Sequence, residues 1–342
     1  MANSQLTVLI LAAGKGTRMK SGKAKVLHEV FNEPMIHHVV RTAQQLEPLQ
    51  TLVVVGHQQD AVRNALADFP VDYALQEQQL GTGHAVLATE PSLQHRADTI
   101  MILCGDTPLI RKETLISMLQ AHSAKKSTLT VMTTILENPA NYGRILLSAD
   151  DQVLAIVEEK DATPEQRLIK EINTGIYCVE RSFLFPALRN VGTNNSQKEM
   201  YLTDIVGIAV SRGIAVEKFT TYNNPKEILG VNSRVELAEA TQELQMRQNI
   251  SLMLGGVTIT SPQTVSIARD TVCGQDAKIG PLVSITGKSV VGKESCIGQG
   301  AILNNAQIGD NVQIGPYSVI VNTSIPDGSV LPPYSSIGGK IQ

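Results

Sequence analysis

At 342 residues, with 18% charged residues and a net charge of −3, the chain is long enough for two domains with sizeable cores. It carries no basic field of the kind that gathers nucleic acid or an anionic membrane surface. Cys104, Cys178, Cys273 and Cys296 are far apart, with no metal-ligand or redox spacing, and no apolar run approaches the roughly 18–20 residues of a membrane span. Together with a start, MANSQ, that lacks a basic segment followed by an apolar one, this predicts a protein of a reducing, cytoplasmic compartment.

The apolar run Leu6–Leu11 predicts a buried strand. It ends in Ala12 and Ala13 and then in Gly14-Lys15-Gly16-Thr17-Arg18. Glycines let a chain curl close to a phosphate because no Cβ blocks the approach, and Arg18 and Lys25 supply charge. The spacing is not the dinucleotide fingerprint G-x-G-x-x-G. Further strands are expected at 51–55, 71–75, 99–103 and 128–134, with helices at 34–46, 58–66, 83–89 and 112–122. Pro34 suits a first helical turn. Such alternation predicts a mostly parallel, Rossmann-like α/β sheet with helices on both faces and ligands beyond the carboxyl ends of its strands. Strand-like pieces at 144–147, 153–157 and 172–179 suggest a smaller insertion walling a pocket.

Gln76-Glu77-Gln78-Gln79-Leu80-Gly81-Thr82-Gly83-His84 follows the third strand. A Gln side chain offers both an amide donor and a carbonyl acceptor, which match the imide edge of uracil. Gly81 lets the backbone approach a base, Thr82 is placed to cap the next helix, and His84 is expected on the helix surface rather than as a base. Leu103-Cys104-Gly105-Asp106-Thr107-Pro108 ends the fourth strand, where a carboxylate is well placed for a hard cation such as Mg²⁺. The side-chain carbonyl of Asn232 is a candidate second oxygen. Gly143, Glu158 and Asn173 stand in turn-like segments that fit a sugar pocket.

Residues 233–251 predict one helix, with Val235, Leu237, Ala240, Leu244 and Ile250 toward a partner. Beyond residue 257 aliphatic residues or Cys recur every six positions at Ile267, Cys273, Ile279, Ile285, Val291, Ile297 and Leu303. After a five-residue step come Ile308, Ile314 and Ile320, and after another Ile325, Leu331 and Ile337. Glycine often follows directly. The expected domains are therefore 1–232, a linker helix 233–256 and a repeat domain 257–342.

The register resembles the hexapeptide repeat of the left-handed parallel β-helix, in which three hexads make one coil. The glycine loop resembles that of sugar-nucleotide pyrophosphorylases, and QQLGTGHAV resembles bacterial UDP-N-acetylglucosamine pyrophosphorylases, the resemblance running from Leu6 to about Pro333. It implies Mg²⁺-dependent transfer of UMP from UTP to N-acetylglucosamine 1-phosphate, with a different sugar 1-phosphate or a catalytically inactive regulatory subunit as alternatives. It implies a nucleotide side of Leu11, Ala12, Ala13, Gly14, Gly16, Gln76, Gly81 and Thr82, catalytic cations Arg18 and Lys25, and metal ligands Asp106 and Asn232. The implied sugar side is Gly105, Gly143, Glu158, Asn173 and Thr174, bordered by the segment 199–204. β-Helices of this kind pack as homotrimers, so a trimer is expected. Three departures from the family pattern stand out. Ala24 replaces a proline, which would loosen the loop. Cys104 replaces a tyrosine, which bears on the exact sugar. No histidine follows His122, so the family's acetyltransferase activity is not expected.

Overall fold

The computed structural model describes residues 3–14, 16–93, 98–221 and 225–339; Lys15 of the glycine loop lies outside them. The chain divides into two units, Met1–Glu29 with Glu33–Leu237, and Val30–Asn32 with Ala238–Gln342. Among the described residues no helix is long and apolar enough to cross a membrane.

In the first unit, strand β1 (Asn3–Leu11) buries Val8, Leu9 and Ile10 completely, because both of its faces are covered. Its neighbours are β2 (Pro48–Val55) and β4 (Thr99–Cys104), both parallel, and β3 (Asp72–Leu75) extends the sheet beyond β2. On one face Val8 and Ile10 share a core with Ile36, Val39 and Val40 of α1 (Met35–Gln44) and with Leu115 and Met118 of α4 (Lys112–Ala124). Two short helices, α2 (Gln59–Ala65) and α3 (Thr82–Leu87), lie between these. On the other face Leu9 packs with Phe183 and Leu184 of α5 (Arg181–Leu188) and Ile205 and Val206 of α6 (Asp204–Ser211).

The sheet runs β9-β5-β8-β4-β1-β2-β3, where β5 is Leu129–Ile135, β8 is Glu171–Glu180 and β9 is Val216–Thr221. The expected doubly covered α/β sheet is present, with two corrections. The segment expected as part of an insertion, 172–179, is a central strand, β8, antiparallel to β4 and β5. Only its first half reaches out to the hairpin of β6 (Arg144–Leu147) and β7 (Val153–Val157). Pro34 does not open α1 from within; it is the extended residue that precedes it.

The second unit carries most of α7 (Arg234–Leu254) and then three parallel sheets of two- and three-residue strands. Ile259, Ile279, Ile297, Ile314 and Leu331 stack in one sheet, Ile267, Ile285, Leu303, Ile320 and Ile337 in the second, and Cys273, Val291, Ile308 and Ile325 in the third. Apart from Ile259, which opens the first stack ahead of the register, these are the sixth-position residues of the repeat, now in one core. A second inward position lies two residues earlier, at Val265, Ala277, Val283, Ala301, Ala306 and Val312, and at Ser289, Ser295 and Ser318, all fully buried. The serines are satisfied by backbone: Ser295 Oγ donates to Gly309 O (2.8 Å) and accepts from Val312 N (2.9 Å). On α7, Ala240 and Leu244 are buried as expected, but Val235 and Ile250 are exposed. The buried polar residue is Asn249, which donates to the carbonyls of Pro262 (2.7 Å) and Val265 (2.8 Å).

Ser295→Ala leaves one buried donor and one acceptor unpaired between coils and is expected to lower stability by about 1–3 kcal/mol. Val272→Thr, at a position 61% exposed, should stay within about 0.5 kcal/mol. Denaturant unfolding followed by circular dichroism checks both, and equal stability of the two variants would contradict the assignment.

Candidate active site

Strands β1, β3 and β4 deliver their carboxyl ends to the same edge of the sheet, so the loops after Leu11, Leu75 and Cys104 open on one cavity of about 630 Å³. Leu11, Ala12, Ala13, Gly14, Gly16, Arg18, Lys25, Gln76, Gly81, Thr82, Asp106 and Asn232, twelve of the residues singled out in the sequence, line it together. Gln79, Ala85, Cys104 and Glu199 line it as well.

At one end lie the charges. Gly16 holds a φ of +63°, with the Lys25 methylenes packed where a Cβ would stand. Lys25 begins a short 3₁₀ turn pinned by the buried Val26 and Leu27. The preceding Ala24, expected to loosen the loop, does not: its N–H donates to Gln58 Oε1 at 2.7 Å, a bond no proline could make. Lys25 Nζ forms an ion pair with Asp106 Oδ2 and donates to Asn232 Oδ1 (2.5 Å); Arg18 Nη2 donates to the same Asn232 oxygen (2.7 Å). Asn232 is oriented by its own amide, which donates to Gly230 O (2.7 Å), and the backbone is tied down by Val231 N to Asp106 O (2.8 Å). Helix capping is left to Ser233, whose Oγ accepts from Glu236 N while the Glu236 carboxylate accepts from Ser233 N.

At the other end Gln76, 3% exposed, donates its amide to Gly81 O (3.0 Å) and meets His84 Nδ1 (3.2 Å). His84 is therefore half-buried and engaged, not a bare helix-surface residue. Gly81 has a φ of +115°, and a Cβ there would run into the Met200 backbone. Thr82 does not cap α3; its hydroxyl accepts from Leu202 N at 3.0 Å. Met200 N donates to Leu80 O (2.7 Å) and Gly83 N to Met200 O (2.8 Å). These bonds bring Glu199, of the segment expected to border the sugar side, into the wall of this cavity across more than a hundred residues.

None of the expected sugar residues is in the lining, and Gly143, Glu158, Asn173 and Thr174 form a cluster of their own. Gly105 is shut against Ile36 and Leu11 O. Asn173 donates to Tyr177 Oη (2.8 Å) and accepts from Gly175 N (3.1 Å), and Thr174 donates to Met132 O (2.9 Å), so both brace the bulge in β8. Glu158 accepts from Thr203 Oγ1 (3.2 Å) and lies beside Gly143, whose carbonyl accepts from Asn173 N (2.9 Å). The link to the cavity is Cys104, whose thiol lies 3.6 Å from Gly175 O. Burial, with help from Asp106, pushes the Cys104 thiol up to about 12, so it stays a neutral side chain at physiological pH. Burial likewise raises Tyr142 to about 12 and raises Glu158 above the ordinary carboxylate range.

A family model described as a MobA-like NTP transferase domain matches residues 8–173. A protein of Desulfotalea psychrophila described as bifunctional protein GlmU is 46% identical over 327 residues, 96% of this chain and 96% of that protein. Proteins of the same description from Geobacter metallireducens and Anaeromyxobacter dehalogenans are 46% and 41% identical, covering 89% and 97% of this chain but 64% and 68% of their own lengths. This chain thus spans nearly all of the first and about two thirds of the other two.

Folded Glu158 holds its proton to a higher pH than the unfolded chain does. Its contribution to stability is therefore complete below the unfolded value and falls as pH rises through the folded one. Glu158→Gln should lose less Tm than the parent as pH rises above the ordinary carboxylate value. Identical Tm profiles by calorimetry would place the carboxylate in water.

Proposed function

The chain belongs to the GlmU family, and from that premise we propose that its first unit transfers UMP from UTP to N-acetylglucosamine 1-phosphate, releasing pyrophosphate. The observation that carries this reading is the shared lining of one cavity by a cation-rich end and an amide end. Enzymes of this nucleotidyltransferase class use a divalent metal. The donor set fits one: a carboxylate oxygen of Asp106 and the amide oxygen of Asn232 converge on a single cation, the Lys25 ammonium. We assign the metal as Mg²⁺, since two protein oxygens plus phosphates and water suit its coordination. When bound, it supplies neutralising charge to the triphosphate.

The chain's own residues do the rest. The sugar phosphate is already an anion, so no general base is needed, and the barrier is like-charge repulsion together with charge growing on the departing pyrophosphate. Lys25 and Arg18 meet that charge, and Gly14 and Gly16 let the backbone close on the phosphates. Gln76 and Gly81 hold the base. Gly143, Glu158 and Asn173, reached past Cys104, are assigned to the sugar, with Gly105 and Thr174 acting as supports. A cytoplasmic location and a homotrimer held by the second unit complete the proposal.

Pyrophosphate release across a panel of nucleoside triphosphates and sugar 1-phosphates tests the reading. UTP with N-acetylglucosamine 1-phosphate should lead; preference for another pair, or none, would refute it. Asp106→Ala should lower turnover about 100-fold or more with an unchanged circular dichroism spectrum. Lys25→Met should lower kcat far more than it weakens UTP binding, because the charge it meets grows in the transition state. A raised KM alone would make Lys25 a ground-state binder.

A further inference from the structure

We propose that His84 is a positioning residue for base selection: by accepting one N–H of Gln76 it commits the Gln76 carbonyl oxygen to the cavity, where it favours a base edge that carries a ring N–H. This rests on the nucleotide reading given above.

The hydrogen-bond inventory of Gln76 fixes the direction. Gly81 O can only accept, so the Gln76 atom 3.0 Å from it is the amide nitrogen. The same nitrogen lies 3.2 Å from His84 Nδ1. With one hydrogen on Gly81 O, the second points to Nδ1, which must present its lone pair, and the imidazole proton of the neutral ring sits on Nε2. Both Gln76 hydrogens are therefore used inside the protein. What remains is Oε1. Among the described residues it has no hydrogen-bond partner, and it is not one of the solvent-shielded polar atoms left unpaired. Since Gln76 lines the cavity, that oxygen opens on it.

An amide free to turn over reads either a donor or an acceptor. One with both hydrogens engaged is an acceptor only. Uracil offers N3–H to such an oxygen; cytosine offers the N3 lone pair, and two acceptors repel. Guanine also carries a ring N–H, so the decisive comparison is UTP against CTP. Without an acceptor at position 84, one Gln76 hydrogen is released. The orientation then rests on the single bond to Gly81 O, so turning the amide over to suit cytosine costs one hydrogen bond instead of two. His84 touches no base in this scheme and acts only through Gln76.

The test compares wild type with His84→Phe, which keeps a ring without an acceptor, and His84→Asn, which restores one. Calorimetric binding of UTP and CTP is measured without sugar phosphate, then kcat/KM for both with it. His84→Phe should lower the UTP/CTP ratio about three- to tenfold, and His84→Asn should recover most of it. His84→Leu, a second acceptor-free side chain, gives the same reading should the Phe variant fail to fold. A selective wild type with an unchanged ratio in the acceptor-free variant overturns this role alone. So does an equal loss for both nucleotides, which marks a packing role. A wild type that does not distinguish UTP from CTP overturns the base reading and this inference together.

Discussion

One ammonium holds the site together. Lys25 Nζ lies against Asp106 Oδ2 and Asn232 Oδ1, and it thereby joins the loop after β1, the turn after β4 and the segment before α7. The side chains are 13% and 22% exposed for Lys25 and Asp106, so the pair is partly desolvated. In that setting, removing one partner is far more damaging than the net strength of the pair suggests, because the other charge is left without company. The surroundings answer that demand. Asn232 is steered by Gly230 O, Val231 N fixes the Asp106 backbone, and Gly230 is the residue that tolerates carboxylate oxygens 3.2 Å from its Cβ position.

The parallel sheet explains why such distant residues meet. Parallel neighbours must be joined by a crossover, so every parallel strand ends at the same edge. β1, β3 and β4 place their loops there without any signal linking Gly16, Gln76 and Asp106 in sequence. The antiparallel β8 is inserted between β4 and β5, and its bulge at Gly175, with φ of +80°, brings backbone against the Cys104 thiol. The cluster of Gly143, Glu158 and Asn173 is thus attached to the cavity through the sheet itself.

Much of this was legible in the sequence, for identifiable reasons. Leu6–Leu11 and the hexad register announce themselves because burial on both faces, or at every sixth residue, leaves a periodic trace. Helices α5 and α6 escaped because their outer positions carry little polarity to mark a face: Phe183-Leu184-Phe185 is apolar throughout, Pro186 sits inside a helix, and Asp204–Ser211 is rich in β-branched residues with Gly207 on its exposed side. The second inward position of the hexad went unseen because Ser289, Ser295 and Ser318 are polar and their satisfaction by neighbouring coils has no local signature. The particular bonds of Thr82, His84 and the Glu199 segment belong to the same class, although Thr82 and the segment 199–204 were themselves singled out in the sequence. Each acts through a tertiary bond, Thr82 to Leu202 N, His84 to Gln76 and the Glu199 segment to Leu80 and Gly83.

The two ends of the cavity are organised by opposite physics. At the Gln76 end, the one proposed above for the base, the donors are already engaged: the Gln76 amide is paired with Gly81 O and His84, and the Gly81 turn is locked by Met200. A ligand there meets a fixed pattern and breaks nothing, which suits discrimination between bases differing by one hydrogen. At the Lys25 end, the one proposed above for the phosphates, the two cations share the Asn232 oxygen and Lys25 also holds Asp106, so a bound anion would compete with these partners for Lys25 and Arg18. The bonds of Lys25 and Arg18 to Asp106 and Asn232 are ionic or charge-assisted, the kind that another anion can replace. A rigid reader joined to a re-pairing charge cluster is the arrangement that phosphoryl chemistry asks for, since the base keeps its identity through the reaction while the charge on the phosphates moves.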